Sequence, residues 1–137
     1  MTITRKLTAA TAVFAIAATG VAAAADAPTV SSQKTSASRY APVLIPGTGI
    51  KKGEALPKGA KVVYRDVKIT AGQEVTITLR APNGKRVNAL AERDTRHVGI
   101  GVVGRSPYYG RKSITVKVFA ERDMPREVTE RVYALAR

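Results

Sequence analysis

Residues 74 to 80 read Glu-Val-Thr-Ile-Thr-Leu-Arg, a stretch in which every second residue is apolar. Val75, Ile77 and Leu79 alternate with threonines and charged side chains. Successive side chains of an extended strand point to opposite faces, so this period of two predicts a strand with one face in the core and one in water. The stretch is the clearest strand of the chain and predicts that the domain around it contains a β-sheet.

The same alternation recurs on both sides of this strand. A short apolar stretch bounded by prolines, residues 41 to 46, suits an edge strand or an extended arm. Five further stretches alternate clearly, namely residues 61 to 69, 87 to 91, 97 to 103, 113 to 120 and 130 to 136. Six strands and a weak seventh, separated by turn signals, predict an all-β antiparallel β-sandwich. Immunoglobulin-like topology is the first expectation, and a jelly-roll-like or small-barrel arrangement is the second.

Two local features refine the strand prediction. In the first long strand Val63 and Val67 share one face, and a bulge is expected near Asp66. After the strand that ends at Arg80, an Asn83-Gly84 pair supplies the strongest short-range hairpin signal. We therefore expect a β-hairpin at this turn.

Residues 1 to 25 have the pattern of a secretory signal peptide. Arg5 and Lys6 precede an apolar run, and Ala23 and Ala25 supply the small-residue ending of the cleavage site. The run is too short, and too rich in Ala and Thr, for a transmembrane span. We expect cleavage after Ala25 and a secreted, extracellular mature chain that has no membrane span.

The mature chain is expected to consist of a leader and one folded domain. Residues 26 to 40 are rich in Ser, Thr and Ala, and cannot bury enough apolar surface to offset the entropy cost of ordering. They are predicted to form a flexible leader, and residues 41 to 137 a single β-sandwich domain. The sequence contains no cysteine, so disulfides cannot stabilise this domain.

The chain is strongly basic. Its 23 Lys and Arg against 10 Asp and Glu give a net charge of +13, or +11 once Arg5 and Lys6 are removed with the signal. A charge of this size attracts polyanions. Outside a bacterial cell these are wall phosphate polymers, acidic polysaccharides, anionic lipid head groups and released DNA. No nucleic-acid-binding module is recognisable, so no specific nucleic acid is expected.

Residues 104 to 112, GRSPYYGRK, are the strongest candidate for a binding segment. Tyr108 and Tyr109 offer aromatic faces for stacking, while the cations beside them can pair with phosphate or carboxylate. The opposing interpretation is that a tyrosine folds over the end of the sandwich as an apolar plug. The full set of candidate ligand-binding residues is Arg105, Tyr108, Tyr109, Arg111, Lys112, Lys51, Lys52, Lys85 and Arg86.

Catalytic and cofactor signals are weak. His97 is the single histidine and there is no cysteine, which excludes Cys-His catalysis and a multi-histidine zinc site. No nucleophile is paired with a base, so the protein is not expected to be an enzyme. Gly99 to Gly104 matches the dinucleotide-binding string but lies within a strand, so no cofactor is expected. Gly99 and Gly101 instead suggest close approach of another backbone or a ligand.

A repeated Ala-Glu-Arg-Asp tetrapeptide raises one metal hypothesis. If its two copies met, Glu92, Asp94, Glu121 and Asp123 could surround a calcium ion. Each copy contains an arginine, which favours a polar turn with local ion pairs. No metal is therefore predicted, and calcium is retained only as the weaker alternative.

These observations favour a secreted, non-catalytic basic binding module. It would dock on an anionic cell-wall polymer, polysaccharide or cell surface through basic loops and the Tyr108-Tyr109 pair. The alternative is a secreted protein that binds another extracellular protein, such as an effector or protease inhibitor that presents the 104 to 112 loop. In that case Arg105 or Arg111 would be the anchor.

Overall fold

The computed structural model describes residues 27 to 93, 95 to 104 and 107 to 137, so the predicted signal peptide lies outside it. No described residue belongs to a helix that could cross a membrane. The described chain contains eight strands: β1 Thr29–Val30, β2 Lys34–Thr35, β3 Lys61–Ile69, β4 Glu74–Arg80, β5 Val87–Glu92, β6 Val98–Val102, β7 Ser113–Ala120 and β8 Val128–Ala136.

The strands form two antiparallel sheets that pack face to face. Sheet 1 has the order β1-β3-β8-β5, with β2 beside β1 on the same edge of β3, and sheet 2 has the order β4-β7-β6. The predicted antiparallel β-sandwich is confirmed. Neither sheet closes on itself, so the small-barrel alternative is wrong.

The six long strands are distributed between the two sheets in an order that differs from the immunoglobulin arrangement. The immunoglobulin sheets ABED and CFG place three pairs of consecutive strands side by side. Here β6 and β7 are the one consecutive pair of long strands in the same sheet. Instead, β3 pairs with β8, and the pair β4-β7 lies between these two strands in sequence, so one pair is nested inside the other. This nesting favours the jelly-roll-like expectation over the immunoglobulin-like one.

The Asn83-Gly84 pair makes a turn but not the predicted hairpin. The Lys85 N–H donates to the Pro82 carbonyl at 3.0 Å, yet the strands on either side, β4 and β5, lie in different sheets. An Asn-Gly hairpin turn needs a positive φ at both central residues. Gly84 has a φ of +79°, whereas Asn83 is not among the residues with positive φ. The turn therefore lacks the twist that would pair its two strands.

β3 lies beside β8 without the bulge expected near Asp66. Their register is unbroken from Lys61 to Ile69. Arg65 occupies the inward position that interrupts the apolar pattern, so a polar residue explains the interruption. The irregular register occurs in β5 instead, between Val87 and Ala89.

Sheet 1 is buried on both faces. Its inner face packs against sheet 2 and forms the main core, which includes Val63, Val67, Ile69, Ile77, Leu79, Val87, Leu90, Ile114, Val116, Val118, Val132 and Ala134. Residues 41 to 60 lie over its outer face and form a second core there, whose buried members are Ala41, Ile45, Ile50, Val62, Ala89, Ala91, Tyr133 and Leu135. Residues 41 to 46 thus belong to a covering segment and not to a regular strand.

β1 and β2 lie within the range predicted to be a flexible leader. Both pair antiparallel with one edge of β3. Between them, Gln33 Nε2 donates to the Arg80 carbonyl at 2.9 Å, and the Arg80 N–H donates to Gln33 Oε1 at 2.6 Å. The side-chain amide imitates a strand partner for the edge of sheet 2. That residues 26 to 40 are a separate, flexible part of the chain stays a prediction.

An ion pair joins β3 to β8 on the outer face of sheet 1. Arg131 Nε and Nη2 donate to the two carboxylate oxygens of Asp66 at 2.6 and 2.9 Å. The guanidinium also lies 4.3 Å from the centre of the Tyr64 ring. Arg131 holds the pKa of Asp66 below its usual value, because it stabilises the ionised carboxylate.

Glu130 is the one fully buried charged residue in the part of the chain that the structure describes. It points from β8 into the core between the sheets. The Thr95 hydroxyl and the Arg131 N–H each donate to Oε1 at 3.0 Å, whereas Oε2 has no hydrogen-bond partner among these residues. Burial raises the pKa of Glu130 from 4.5 to about 7, because the apolar surroundings disfavour the charged form.

This raised pKa predicts that the fold loses stability as the pH rises from 4.5 to about 7. Below that range Glu130 is protonated in both states, whereas within it only the unfolded chain ionises, which favours unfolding. The loss amounts to about 3 kcal/mol, at about 1.4 kcal/mol for each pH unit. We expect Glu130→Gln to unfold at a higher temperature than the natural chain at pH 8 and at nearly the same temperature at pH 4. Thermal unfolding at both pH values tests this, and a difference independent of pH would contradict it.

Candidate functional site

Basic residues gather at one end of the sandwich, where several strands begin or end. Lys61 at the start of β3 and Val87 at the start of β5 both pair with Ala136 near the end of β8. Arg80 at the end of β4 pairs with Ser113 at the start of β7. These strand ends and their loops carry eight cations, which we call the basic end: Lys58, Lys61, Arg80, Lys85, Arg86, Arg111, Lys112 and Arg137.

Hydrogen bonds hold the loops of the basic end together. The backbones of Arg86 and Arg137 exchange two bonds of 3.0 and 2.9 Å, and the Ala81 N–H donates to the Lys112 carbonyl at 2.7 Å. Arg86 Nη1 donates to the Gly110 carbonyl at 3.2 Å. The turn after β4 and the loop between β6 and β7 are therefore parts of one surface, although they are distant in sequence.

Acidic side chains are unevenly distributed between the two ends of the sandwich. No acidic residue occurs in the segments that build the basic end, which are 55 to 65, 75 to 91, 104 to 119 and 131 to 137. None of the eight cations forms an ion pair with a residue that the structure describes. Acidic residues gather near the opposite end, where they include Glu74, Glu92, Glu121, Asp123, Glu127 and Glu130. The basic end therefore has a positive potential that no acidic side chain of these four segments offsets.

The two tyrosines of the loop between β6 and β7 have different surroundings. Tyr108 is half-buried and packs against the main core, as the plug interpretation expects, whereas Tyr109 is 59% exposed. Their rings meet edge to face with centres 5.9 Å apart. Tyr109 alone thus offers an open aromatic face. Arg105, the remaining candidate of this loop, lies outside the described residues.

The structure joins some of the predicted binding cations and leaves others apart. Lys85, Arg86, Arg111 and Lys112 all belong to the basic end. Lys51 and Lys52 are exposed on the covering segment, and no hydrogen bond or ion pair links them to the basic end within the described ranges. A binding role for these two lysines stays a prediction.

A groove of about 470 Å³ lies beside the basic end, between residues 36 to 40 and 55 to 61. Arg39, Lys58 and Lys61 line it, together with Tyr40, which is 57% exposed. The Lys85 amino group donates a hydrogen bond to the Gly59 carbonyl, so the groove adjoins the basic end.

Sequence reasoning missed this groove. It arises where the Leu56 N–H donates to the Arg39 carbonyl at 2.9 Å and Tyr40 forms a bridge with Ala55. These contacts join the predicted leader to residues between two predicted strands, and neither segment has a periodic pattern. The sequence signal that could have indicated this site is the adjacent pair Arg39 and Tyr40, because residues 104 to 112 also combine a cation with an aromatic side chain.

His97, Glu121 and Asp123 meet near the opposite end. His97 Nδ1 lies 2.7 Å from Glu121 Oε1 and 3.6 Å from Asp123 Oδ1. His97 has a φ of +69°, and its carbonyl accepts the Glu121 N–H at 2.8 Å. The calcium hypothesis is not supported in its original form, because an imidazole is a poor calcium ligand and Glu92 is not in the group. Asp94 lies outside the described residues. The contact is explained as a polar link between two loops.

Gly99 lies under an aromatic ring. A Cβ atom at this position would come within 2.8 Å of Phe119 Cζ, whereas nothing lies within 4 Å of one at Gly101. The close approach predicted for both glycines is therefore found at Gly99 alone. It comes from a side chain of the neighbouring strand, and not from a backbone or a ligand.

Comparison with protein-family models, curated proteins and solved structures finds no match to this chain. The fold and the site define a cysteine-free β-sandwich with one basic end.

The different surroundings of the two tyrosines predict different effects of their removal. Tyr108→Ala should lower the free energy of unfolding by about 2 kcal/mol, because it removes a half-buried aromatic ring from the core. Tyr109→Ala should change it by less than about 0.5 kcal/mol, as expected for an exposed side chain. Urea unfolding of both variants measures this, and equal losses would show that the assignment of plug and open ring is wrong.

Proposed function

We propose that this protein is a secreted, non-catalytic binding module that docks through its basic end on an anionic polymer of the cell wall or cell surface. The observation that carries the proposal is the uneven distribution of acidic side chains. Eight cations without a carboxylate partner occupy one end, while the acidic residues gather elsewhere. A charge excess that served solubility alone would not need one end without acidic side chains.

A polymer is a suitable ligand for this arrangement. The cations come from four separate segments of the chain, so a chain of phosphates or carboxylates could engage several of them at once. Each contact displaces counterions from the polymer, which makes such binding favourable at low salt. The hydrogen bonds between the loops hold the cations in place before binding, which reduces the ordering cost.

Two further observations support the proposal. The predicted signal peptide would carry the chain to the compartment in which wall polymers and acidic polysaccharides occur. Tyr109 adds an open aromatic face beside Arg111 and Lys112, where it can contact the repeating units of the polymer.

A pair of matched charge reversals tests the role of the basic end. Arg80 and Lys112 are exposed at the basic end, whereas Lys68 and Arg126 are exposed near the other end. Each double change to glutamate lowers the net charge by the same amount. We expect Arg80→Glu with Lys112→Glu to weaken binding to heparin and purified wall polymer at least about tenfold, and the control pair to weaken it less than about threefold.

The same titrations should be repeated across a salt series. The affinity of the natural chain should fall steeply between low and physiological salt, and the slope should be smaller for the variant of the basic end. If both double variants lose affinity equally, net charge and not the basic end governs binding. If the natural chain binds none of these polymers at low salt, the proposed function is wrong.

A further inference from the structure

We infer that the groove between residues 36 to 40 and 55 to 61 is a subsite for one acidic sugar unit of a polysaccharide. The sugar ring would lie against Tyr40, and its acid group would be held by Arg39, Lys58 and Lys61. The inference rests on the proposed function and names the class of polymer that the basic end recognises.

The size and construction of the groove suit a monosaccharide unit. Its volume of about 470 Å³ is within the range of small-molecule sites, which hold about 300 to 1,000 Å³. One wall is tied to the other by the bond of 2.9 Å from the Leu56 N–H to the Arg39 carbonyl. The Ala60 N–H donates to the Pro57 carbonyl at 2.9 Å, which closes a turn in the second wall. The groove is therefore formed before any ligand binds.

The charges of the groove select an anion. Three of its lining side chains are cationic and none is acidic. Arg39, Lys58 and Lys61 form no ion pair with another residue of the described chain, so their charges are available to a ligand. A guanidinium binds a carboxylate with two parallel hydrogen bonds, so Arg39 can hold the planar acid group of a uronic acid.

The aromatic ring distinguishes a sugar from a simple polyphosphate. Tyr40 is 57% exposed, although its backbone is held by a bond of 3.1 Å to Ser38 Oγ and by the bridge to Ala55. An exposed ring on a fixed backbone offers a flat apolar surface, on which the C–H face of a pyranose can pack. A polyphosphate has no such face and would use only the cations. The two serines of the lining can bond the sugar hydroxyls.

The test compares three ligands of matched charge on the mature chain, namely an oligogalacturonate, an inorganic polyphosphate and a single-stranded DNA oligonucleotide. Affinities are measured by calorimetry at one salt concentration. We expect the oligogalacturonate to bind at least about fivefold more tightly than the polyphosphate. Tyr40→Ala should remove this preference. It should weaken binding of the oligogalacturonate about tenfold and binding of the polyphosphate less than twofold. Arg39→Ala should weaken both ligands, because both are anions.

Three variants serve as controls. Tyr40→Phe keeps the ring and should keep the preference for the sugar. Phe119→Ala removes another exposed ring, on the outer face of sheet 2, and Lys68→Ala removes a cation outside the groove, so neither should change the preference. The variants at Arg39, Tyr40 and Lys68 should unfold close to the temperature of the natural chain, because these side chains are exposed. Phe119→Ala should unfold at a lower temperature, because its ring also covers Gly99, so its affinities are compared at a temperature at which it is folded.

The outcomes separate this inference from the proposed function. If the polymers bind but Tyr40→Ala leaves the preference for oligogalacturonate unchanged, the groove assignment is wrong while the basic end still binds. If the DNA binds most tightly and Tyr40→Ala weakens it most, the groove stacks a base and the sugar assignment is overturned. If none of the three ligands binds, the proposed function itself fails.

Discussion

The burial of sheet 1 on both faces is the constraint on which the rest of this structure depends. β8 lies at the centre of that sheet, with inward residues such as Val132 in the core between the sheets and outward residues such as Leu135 under the covering segment. A sheet with two apolar faces needs a layer on each side. Sheet 2 supplies one layer and residues 41 to 60 supply the other. Because the covering segment must return to the start of β3, its last residues lie beside Arg39 and Tyr40, and the groove forms there.

The arrangement of charge follows from the same architecture. Strand ends and loops are the parts of a sandwich that the cores do not bury, so many of the charged residues lie at the two ends. The charged side chains of the basic end are all cationic, and their mutual repulsion opposes folding. Near the other end, carboxylates meet specific partners, as Glu121 does with His97. The repulsion is thus concentrated at the surface where an anionic ligand would relieve it.

The six long strands could be predicted closely, whereas the two short ones and the partners of each strand could not. β4 and β7 have the bounds that the alternation of Glu74 to Arg80 and Ser113 to Ala120 indicated. The Asn83-Gly84 turn was expected to pair β4 with β5, but the φ angles of the turn direct them into different sheets. For the site, Lys85, Arg86, Arg111 and Lys112 were candidates by charge and do meet. Arg39 and Tyr40 were missed because their role depends on contacts with residues 55 to 61.

The sequence by itself determined that this chain forms strands, which faces of them are apolar, and that the protein is basic and free of disulfides. These properties are local or additive, since side-chain direction in a strand alternates with every residue and charge is a sum over residues. Only the tertiary structure decided the strand order, the position of the covering segment and the grouping of the cations at one end. Those properties depend on pairing between distant segments, in which each strand competes for partners across the whole chain, and no short pattern encodes the outcome.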